Sequence, residues 1–495
     1  MIALDIDPDA AAKCDAIARA LRSFLPSDCL IEEEDGRRAY ECDGLTAYRQ
    51  LPLIVALARN EADVVGVLKT CADMGVKVVP RGSGTSLSGG AMPLPDGLLL
   101  GVSKMNAIID VDYANRCVVA EPGVTNLAIT HAVQAEGFYY APDPSSQIAC
   151  SIGGNVAENS GGVHCLKYGL TTNNLLGVRL AMMNGDVVAL GGRSGDQNGY
   201  DLLGLIAGSE GLLGVVTEVT GRILPKPETR QAMLIGFASP EDAGRCVADV
   251  IAAGVIPAGM EMMDKLAVTA AENFAGCGYP LDVEALLIVE IDGPAASVAD
   301  EIDLVRRVAE ACGATTLRVS GDEAERDAFW AGRKAAFPAT GRIAPDYYCM
   351  DGTIPRRTLP LVLRRMAEMS ERYGLQVANV FHAGDGNLHP LILYDANAPG
   401  QLETAERFGA DILRLCVEVG GVLTGEHGVG VEKRGLMGEM FTDVDLAQQQ
   451  RIKCAFDPEG RLNPGKMFPK LHRCAELGAV HVHGGKLLRP DLPRF

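Results

Sequence analysis

The segment His382-Ala-Gly-Asp-Gly-Asn-Leu-His389 sets an imidazole on either side of a Gly-Asp-Gly turn, and Glu426-His427 follows inside GEHGVG (425–430). If the NVF stretch before the turn and the LHPLIL stretch after it are strands, both imidazoles project from neighbouring strand ends toward one point. Two histidines and a carboxylate are a donor set for zinc, manganese or iron. A single histidine more often caps a loop or satisfies a buried polar group. Three of only eight histidines, flanked by glycines, favour a site.

A second chemistry lies in three glycine-rich loops. The first, Arg81-Gly-Ser-Gly-Thr-Ser-Leu-Ser-Gly-Gly90, offers successive N–H groups and hydroxyls that suit a pyrophosphate. It departs from the dinucleotide fingerprint G-x-G-x-x-G, because Leu87 stands where the third glycine belongs, which disfavours a nicotinamide cofactor. The second runs from Pro142 to Asn155 and on through Glu158-Asn159-Ser160-Gly161-Gly162, small residues that let a flat ring approach the backbone. The third is Gly208-Ser-Glu-Gly-Leu-Leu-Gly-Val-Val-Thr-Glu218.

The elements that must position these groups fall into three regions. Through about residue 226, short strands alternate with loops: Glu61 to Met74 is expected to be a helix stopped by Gly75, VKVVP (76–80) a strand entering the first loop, and the stretches around Asn184-Gly185 a hairpin. The two prolines of ILPKPE (223–228) mark a boundary. Beyond it, QAMLIGF, a helix near 240–253, ALLIVEI, a helix near 297–312 and TTLRVS predict an α+β cap with helices on one sheet face. The chain then returns through GEHGVG, helices to about 455 and the NPGK turn at 463–466. The expected division is 1–50 as an N-terminal helical segment, 51–228 for the cofactor, 229–425 for the cap and 426–495 for the returning segment.

At 495 residues the chain is about three times a common domain size, so more than one domain is expected. A formal charge of −19 argues against nucleic acid, which demands a concentrated positive surface. No apolar run approaches the roughly 18 residues of a membrane span, and MIALDIDPDA lacks a signal-peptide pattern, so a cytoplasmic protein is expected. The 14 cysteines are scattered without a CxxC, which predicts buried reduced thiols rather than an iron-sulfur cluster.

Together RGSGTSLSGG, APDPSSQIACSIGGNVAENSGGVHCLKYGLT, GSEGLLGVVTEVT, FHAGDGNLHP, GEHGVG and NPGK resemble the vanillyl-alcohol-oxidase-type flavoproteins, nearest their D-lactate and D-2-hydroxyglutarate dehydrogenase branch. Through YECDGLTAYR (40–49), FWAGRKAAFPA (329–339), DYYCMDGTIPRR (346–357) and the tail LHRCAELGAVHVHGGKL (471–487), the likeness extends over nearly the whole chain. It is most specific to the FAD-linked D subunits of bacterial glycolate oxidases.

The resemblance implies a two-part FAD-binding domain of that type with a ferredoxin-like α+β cap. It places Arg81, Gly82, Ser83, Gly84, Thr85 and Ser86 along the pyrophosphate, and Pro142, Ser146, Ser151, Gly153, Gly154, Asn159, Gly161 and Gly162 beside the flavin. Glu210, Gly214 and Val216 would touch the adenine side or ring edge, with Asn463 approaching from the C-terminal segment. Since residues 81–90 contain no histidine to tether it, FAD is expected to be noncovalent.

The same likeness gives His382, His389 and Glu426 a divalent metal, zinc or manganese, with His427 as base and Arg333 gripping a carboxylate. Such a set suits a 2-hydroxy acid, whose carboxylate a guanidinium holds bidentately while the hydroxyl proton goes to an imidazole. Phe337 and Cys349 stand where a branch acting on longer dicarboxylates needs polar groups, which favours glycolate or D-lactate, although Lys334 supplies a charge nearby. The implied partners are an iron-sulfur F subunit and a second FAD-binding E subunit, with membrane association only peripheral and through them. Two other readings are an autonomous FAD-dependent D-lactate dehydrogenase and a flavin-bearing assembly subunit without chemistry of its own.

Overall fold

The computed structural model describes residues 9–194 and 199–469, with a two-stranded pair Val482–His483 and Lys486–Leu487 beyond. Apart from that pair, the tail 471–487 lies outside the described residues.

The first sheet contains Leu30–Ile31 (β1), Ile54–Leu57 (β2), Lys77–Arg81 (β3) and Gly97–Gly101 (β4) in the order β1-β2-β4-β3. Its three longer strands are parallel. Both faces are covered, so β2 and β4 are apolar and buried at every position rather than alternating. The helix Glu61–Met74 packs Val64, Val67, Leu68 and Cys71 against it, one stripe at helical spacing. Asn60 caps its first turn by accepting from the Asp63 N–H, and Gly75 ends it at φ 70°.

Next come Ile108–Asp112 (β5), Cys117–Ala120 (β6), Phe138–Tyr139 (β7), Leu175–Ala181 (β8), Val187–Gly191 (β9), Val215–Arg222 (β10) and Leu224–Pro225 (β11). The order β5-β6-β10-β8-β9 makes an antiparallel sheet, and β7 pairs with β11. The turn between β8 and β9 holds Asn184 and Gly185, the latter at φ 82°, as the hairpin expectation required.

The cap has seven strands: Thr229–Phe237 (β12), Gly259–Asp264 (β13), Ala285–Gly293 (β14), Ala314–Val319 (β15), Asp346–Cys349 (β16), Val377–Phe381 (β17) and Pro390–Tyr394 (β18). They lie in the order β15-β12-β14-β13-β17-β18-β16. The first four, with helices Pro240–Ala252 and Ala295–Ala311, give the β-α-β-β-α-β course of a ferredoxin-like unit. The last three extend it by antiparallel pairing.

Helices cover both faces of this sheet, not one as the strand-helix alternation suggested. Met233, Ile235, Phe237, Leu287 and Val289 face one core with the helices Pro240–Ala252, Ala295–Ala311, Leu359–Tyr373 and Gln401–Glu418. Their immediate neighbours Ala232, Leu234, Leu286 and Ile288 face a second core with Lys265–Ala275 and Glu323–Ala339. Successive strand residues point to opposite sides, so apolar residues at both parities demand two covers. The Glu323–Ala339 helix is the one that carries Arg333.

The chain then returns to the first sheet, where Leu462 bridges Val78 in parallel and the Asn463 N–H donates to the Val78 carbonyl at 2.7 Å. The body built on the first sheet thus draws on two separated parts of the sequence.

Candidate active site

Loops from both parts meet the cap around one cavity of about 440 Å³. One side of it is formed by residues 81–86, Ser146, Ser151, Gly153, Gly154, Glu210, Gly214 and Val216. The other is formed by Arg333, Lys334, Phe337, His382, His389, Glu426 and His427. Its size is that of a small-molecule site, roughly 300–1,000 Å³.

The loops hold one another in place. A Cβ on Gly82 would overlap Ser151 Oγ, which accepts from the Ser83 N–H at 3.3 Å and also caps the helix Ile152–Glu158 through the Gly154 N–H. Asn463, at φ 45°, donates from Nδ2 to the carbonyls of Gly90 (3.1 Å) and Glu210 (2.7 Å), clasping the first loop to the third. Glu210 lines the cavity, but its two oxygens accept the N–H groups of Val429 (2.6 Å) and Gly430 (2.8 Å). It therefore ties the third loop to GEHGVG.

Five expected cofactor residues stand behind the wall. The Pro142 carbonyl accepts from Asn126 Nδ2, and Asn159 Oδ1 accepts from the Thr172 N–H. A Cβ on Gly161 would come within 2.6 Å of Glu426 Oε2, and one on Gly162 would strike the Asp143 backbone, so both positions demand a bare backbone. Asn463 is the clasp already described. Conversely, Asn155 was not singled out from the sequence, yet it lines the cavity with a buried Nδ2 that has no partner. An unpaired buried donor costs about 1–3 kcal/mol, so this amide fits a ligand that brings an acceptor, as FAD does.

At the other end, His382 follows β17 directly and His389 precedes β18, so the hairpin brings the imidazoles together as the spacing implied. Their ring centroids are 4.8 Å apart, and His427 lies 4.9 Å from His389. Glu426 Oε1 is 3.0 Å from His389 Nε2 and 3.4 Å from His382 Nε2. Donor atoms of His382, His389 and Glu426 all fall within 4.8 Å of one another. Ligands about 2.0–2.2 Å from a tetrahedral ion sit about 3.3–3.6 Å apart, so donors within 4.8 Å of one another are near enough to converge on one small cation with small side-chain shifts.

The electrostatics agree with that fit. Burial, with the positive surroundings of His382, Arg333 and Lys433 added, holds His389 well below the usual imidazole range, in the neutral form that can ligate a cation. Burial opposes a charge on His382, but Glu261 and Glu426 outweigh it and favour positive charge there, a field that favours a metal cation at the same point. Burial also depresses His427, helped by Lys433 and His382 against the pull of Asp351 and Glu426, so it is neutral and free to accept a proton.

The GEHGVG loop is shaped by Asp351, which is buried at 0% exposure. Its Oδ2 accepts the N–H groups of Gly425 (3.0 Å), Glu426 (2.9 Å) and His427 (2.7 Å) together with the Thr424 hydroxyl (2.9 Å). Its Oδ1 pairs with the buried Lys433 Nζ. Behind the opposite wall, Glu261 Oε1 meets His382 Nδ1 at 2.8 Å while Oε2 accepts from Arg333 Nε at 2.7 Å.

No role was given to Glu261, Asp351 or Lys433 from the sequence. A signal for the first does exist: a carboxylate among Met260, Met262 and Met263 must find a partner when buried. Of the two expected size-determining positions, Phe337 lines the cavity and lies 6.2 Å from the His389 ring. Cys349 is buried among the apolar residues of the second cap core, its thiol on the Met350 carbonyl.

Two family models match the chain, "FAD binding domain" over residues 52–191 and "FAD linked oxidases, C-terminal domain" over 226–467. Glycolate oxidase subunit GlcD of Escherichia coli (strain K12) is 54% identical over 480 residues, covering 97% of this chain and 96% of that one. D-lactate dehydrogenase of Archaeoglobus fulgidus is 32% identical over 462 residues, covering 92% and 99%. Among solved structures, 4-ethylphenol oxidase from Gulosibacter chungangensis superposes with a TM-score of 0.79 at 17% identity, over 95% of this chain and 99% of that one, a likeness of fold alone.

Proposed function

Because the chain belongs to the FAD-linked oxidase family, and so is an FAD-dependent oxidoreductase, we propose that it is the catalytic subunit of a glycolate oxidase, oxidising glycolate to glyoxylate and also accepting D-lactate. The carrying observation is that one cavity joins the FAD-type loops to Arg333, His427 and the His382–His389–Glu426 cluster. The autonomous D-lactate dehydrogenase reading has the weaker support, 32% identity against 54%.

Turning a 2-hydroxy acid into a 2-oxo acid removes two electrons and two protons. Bound FAD supplies the two-electron acceptor, and a zinc or manganese ion on His382, His389 and Glu426 would supply positive charge beside the reacting hydroxyl. Residues 81–86 and the small residues of the second loop hold FAD noncovalently. Arg333 holds the substrate carboxylate. Since Nε and Nη2 already donate to Glu261, the carboxylate meets the Nη1–Nη2 edge, and Lys334 adds charge nearby. His427, neutral and buried, takes the hydroxyl proton. Phe337 occupies the space a longer chain would fill.

Electrons must then leave. Among the described residues, the one cluster suited to a metal contains no cysteine, which supports an iron-sulfur subunit and a second FAD-binding subunit as partners in a multisubunit enzyme. No helix among the described residues is long and apolar enough to cross a membrane. In this reading the chain is cytoplasmic and meets a membrane only peripherally, through those partners.

The test is anaerobic mixing of the FAD-loaded chain with a panel of 2-hydroxy acids, following flavin absorbance at about 450 nm. Glycolate and D-lactate are expected to bleach it, and treatment with a chelator to abolish bleaching while leaving the yellow complex. A flavin that neither acid reduces removes the assignment.

A further inference from the structure

Glu261 is the shared anchor of the two halves of the substrate site. It lies on β13, whose Met260 and Met262 face one core of the cap and whose Met263 faces the other. By the alternation of a strand, Glu261 points with Met263 toward the core that packs the Arg333 helix. The register of β13 with β17 pairs Met263 with Val380 and Met262 with Phe381. One further step of that antiparallel ladder sets Glu261 opposite His382, the residue just past the end of β17. Directly opposed residues have Cβ atoms about 4.5–5.5 Å apart, within reach of a carboxylate-imidazole bond.

That contact is made, with Glu261 Oε1 2.8 Å from His382 Nδ1. Oε2 receives both Nε and Nη2 of Arg333 at 2.7 Å. Glu261 is 1% exposed and Arg333 2%, so each charge depends on the other for compensation. A carboxylate only accepts hydrogen bonds. His382 must therefore carry a proton on Nδ1, so that a cation placed between Nε2 and Glu426 Oε1 would take the Nε2 lone pair.

We propose that Glu261 is a positioning residue: one carboxylate fixes the tautomer and ring orientation of His382 for a divalent cation and, through its other oxygen, the angle at which Arg333 presents itself to the substrate carboxylate. This rests on the metal reading given above and extends it to a residue that touches neither metal nor substrate. A partner on the far nitrogen of a ligating histidine commonly controls metal affinity as strongly as it controls orientation.

Glu261→Gln is the informative change, since an amide matches the shape but cannot serve both partners. With its oxygen toward Arg333, its NH2 faces Nδ1 and forces the wrong tautomer on His382. With its oxygen toward His382, its NH2 opposes the donors of Arg333.

The experiment titrates zinc into metal-stripped, FAD-loaded protein against a chromophoric chelator. Wild type, Glu261→Gln, Arg333→Met and the double variant are compared, with glycolate KM and kcat measured on the zinc-saturated single variant. Glu261→Gln is expected to weaken zinc binding about 10- to 100-fold, to do so by the same factor in the Arg333→Met background, and to raise KM. Should Glu261→Gln fail to retain FAD, Glu261→Asp carries the same expectation, because one methylene less prevents it from spanning both partners.

Zinc affinity equal to wild type would overturn the proposal while leaving the metal reading intact. So would a loss that vanishes in the Arg333→Met background, since Glu261 would then only screen the arginine's charge. A wild-type chain that takes up no zinc or manganese overturns the metal reading and this inference with it.

Discussion

Three imidazole nitrogens, from His389, His382 and His427, lie 3.0, 3.4 and 3.7 Å from the single oxygen Glu426 Oε1. Their surroundings divide their work. His382 has Glu261 behind it, whereas His427 Nδ1 is buried without a hydrogen-bond partner, 3.9 Å from Asp351 Oδ2. A neutral imidazole that is neither tied to a carboxylate nor counted in the three-donor cluster is the one left to move a proton. His427→Ala is accordingly expected to bind FAD and zinc as wild type does, yet to slow flavin reduction about 10²- to 10⁴-fold, the usual span for a lost acid-base group. Stopped-flow absorbance checks this, and near-normal reduction would remove His427 from the role of base.

At the scale of elements, the segment from Thr424 to Gly430 has no regular structure of its own and takes its shape from outside. Asp351 gathers three of its N–H groups, and Glu210 gathers two more from the other side. The Asp351–Lys433 pair is nearly without exposure, 0% and 1% by side chain. Removing one partner of such a pair leaves the other charge uncompensated, at about 3–5 kcal/mol. Asp351→Asn should therefore lower the unfolding free energy of the FAD-loaded protein by that order, read from denaturant midpoints. Lys265–Glu284, with side chains 52% and 48% exposed, is the control. There Glu284→Gln should cost less than about 1 kcal/mol. Similar effects from the two would mean that Asp351 is not the organising anion of this loop.

At the scale of the whole molecule, the cap is fastened to the second glycine-rich loop by His164. Its Nδ1 is 2.8 Å from Asp143 Oδ2 and its Nε2 3.4 Å from Glu290 Oε1, while Trp330, one turn before Arg333, donates to the other Glu290 oxygen at 2.6 Å. Burial works against a charge on His164, but the two carboxylates prevail and lift it from 6.5 to about 10. A raised folded-state pKa stabilises fully below the unfolded value and is lost as pH climbs through the folded one. The melting temperature of wild type should thus exceed that of His164→Gln most at pH 6, with the gap closing between about 6.5 and 10. A gap that widens with pH would show that His164 is not a charged clasp between the two bodies.

What the sequence determined by itself was local chemistry at short range. The pair His382 and His389 was legible because a tight turn between two strands fixes where both ends point, and Gly75 because a left-handed residue at φ 70° stops a helix wherever it occurs. The three glycine-rich loops were legible as exposed backbone with few side-chain atoms, and residues of all three line the cavity. Partners set by strand order were not legible. Glu261 meets His382 across 121 residues and Arg333 across 72, and Asp351 meets His427 across 76. Those distances are decided by the register of β13 against β17 and by a second layer of helices over the cap sheet, which alternation of strands and helices along the chain does not reveal. Glu210 and Asn463 show the same limit, since the resemblance placed both beside the cofactor while their hydrogen-bonding atoms serve to join segments more than 200 residues apart. A residue's type restricts which partners satisfy it, but only the packed structure, in which every buried polar group must be matched, selects the partner.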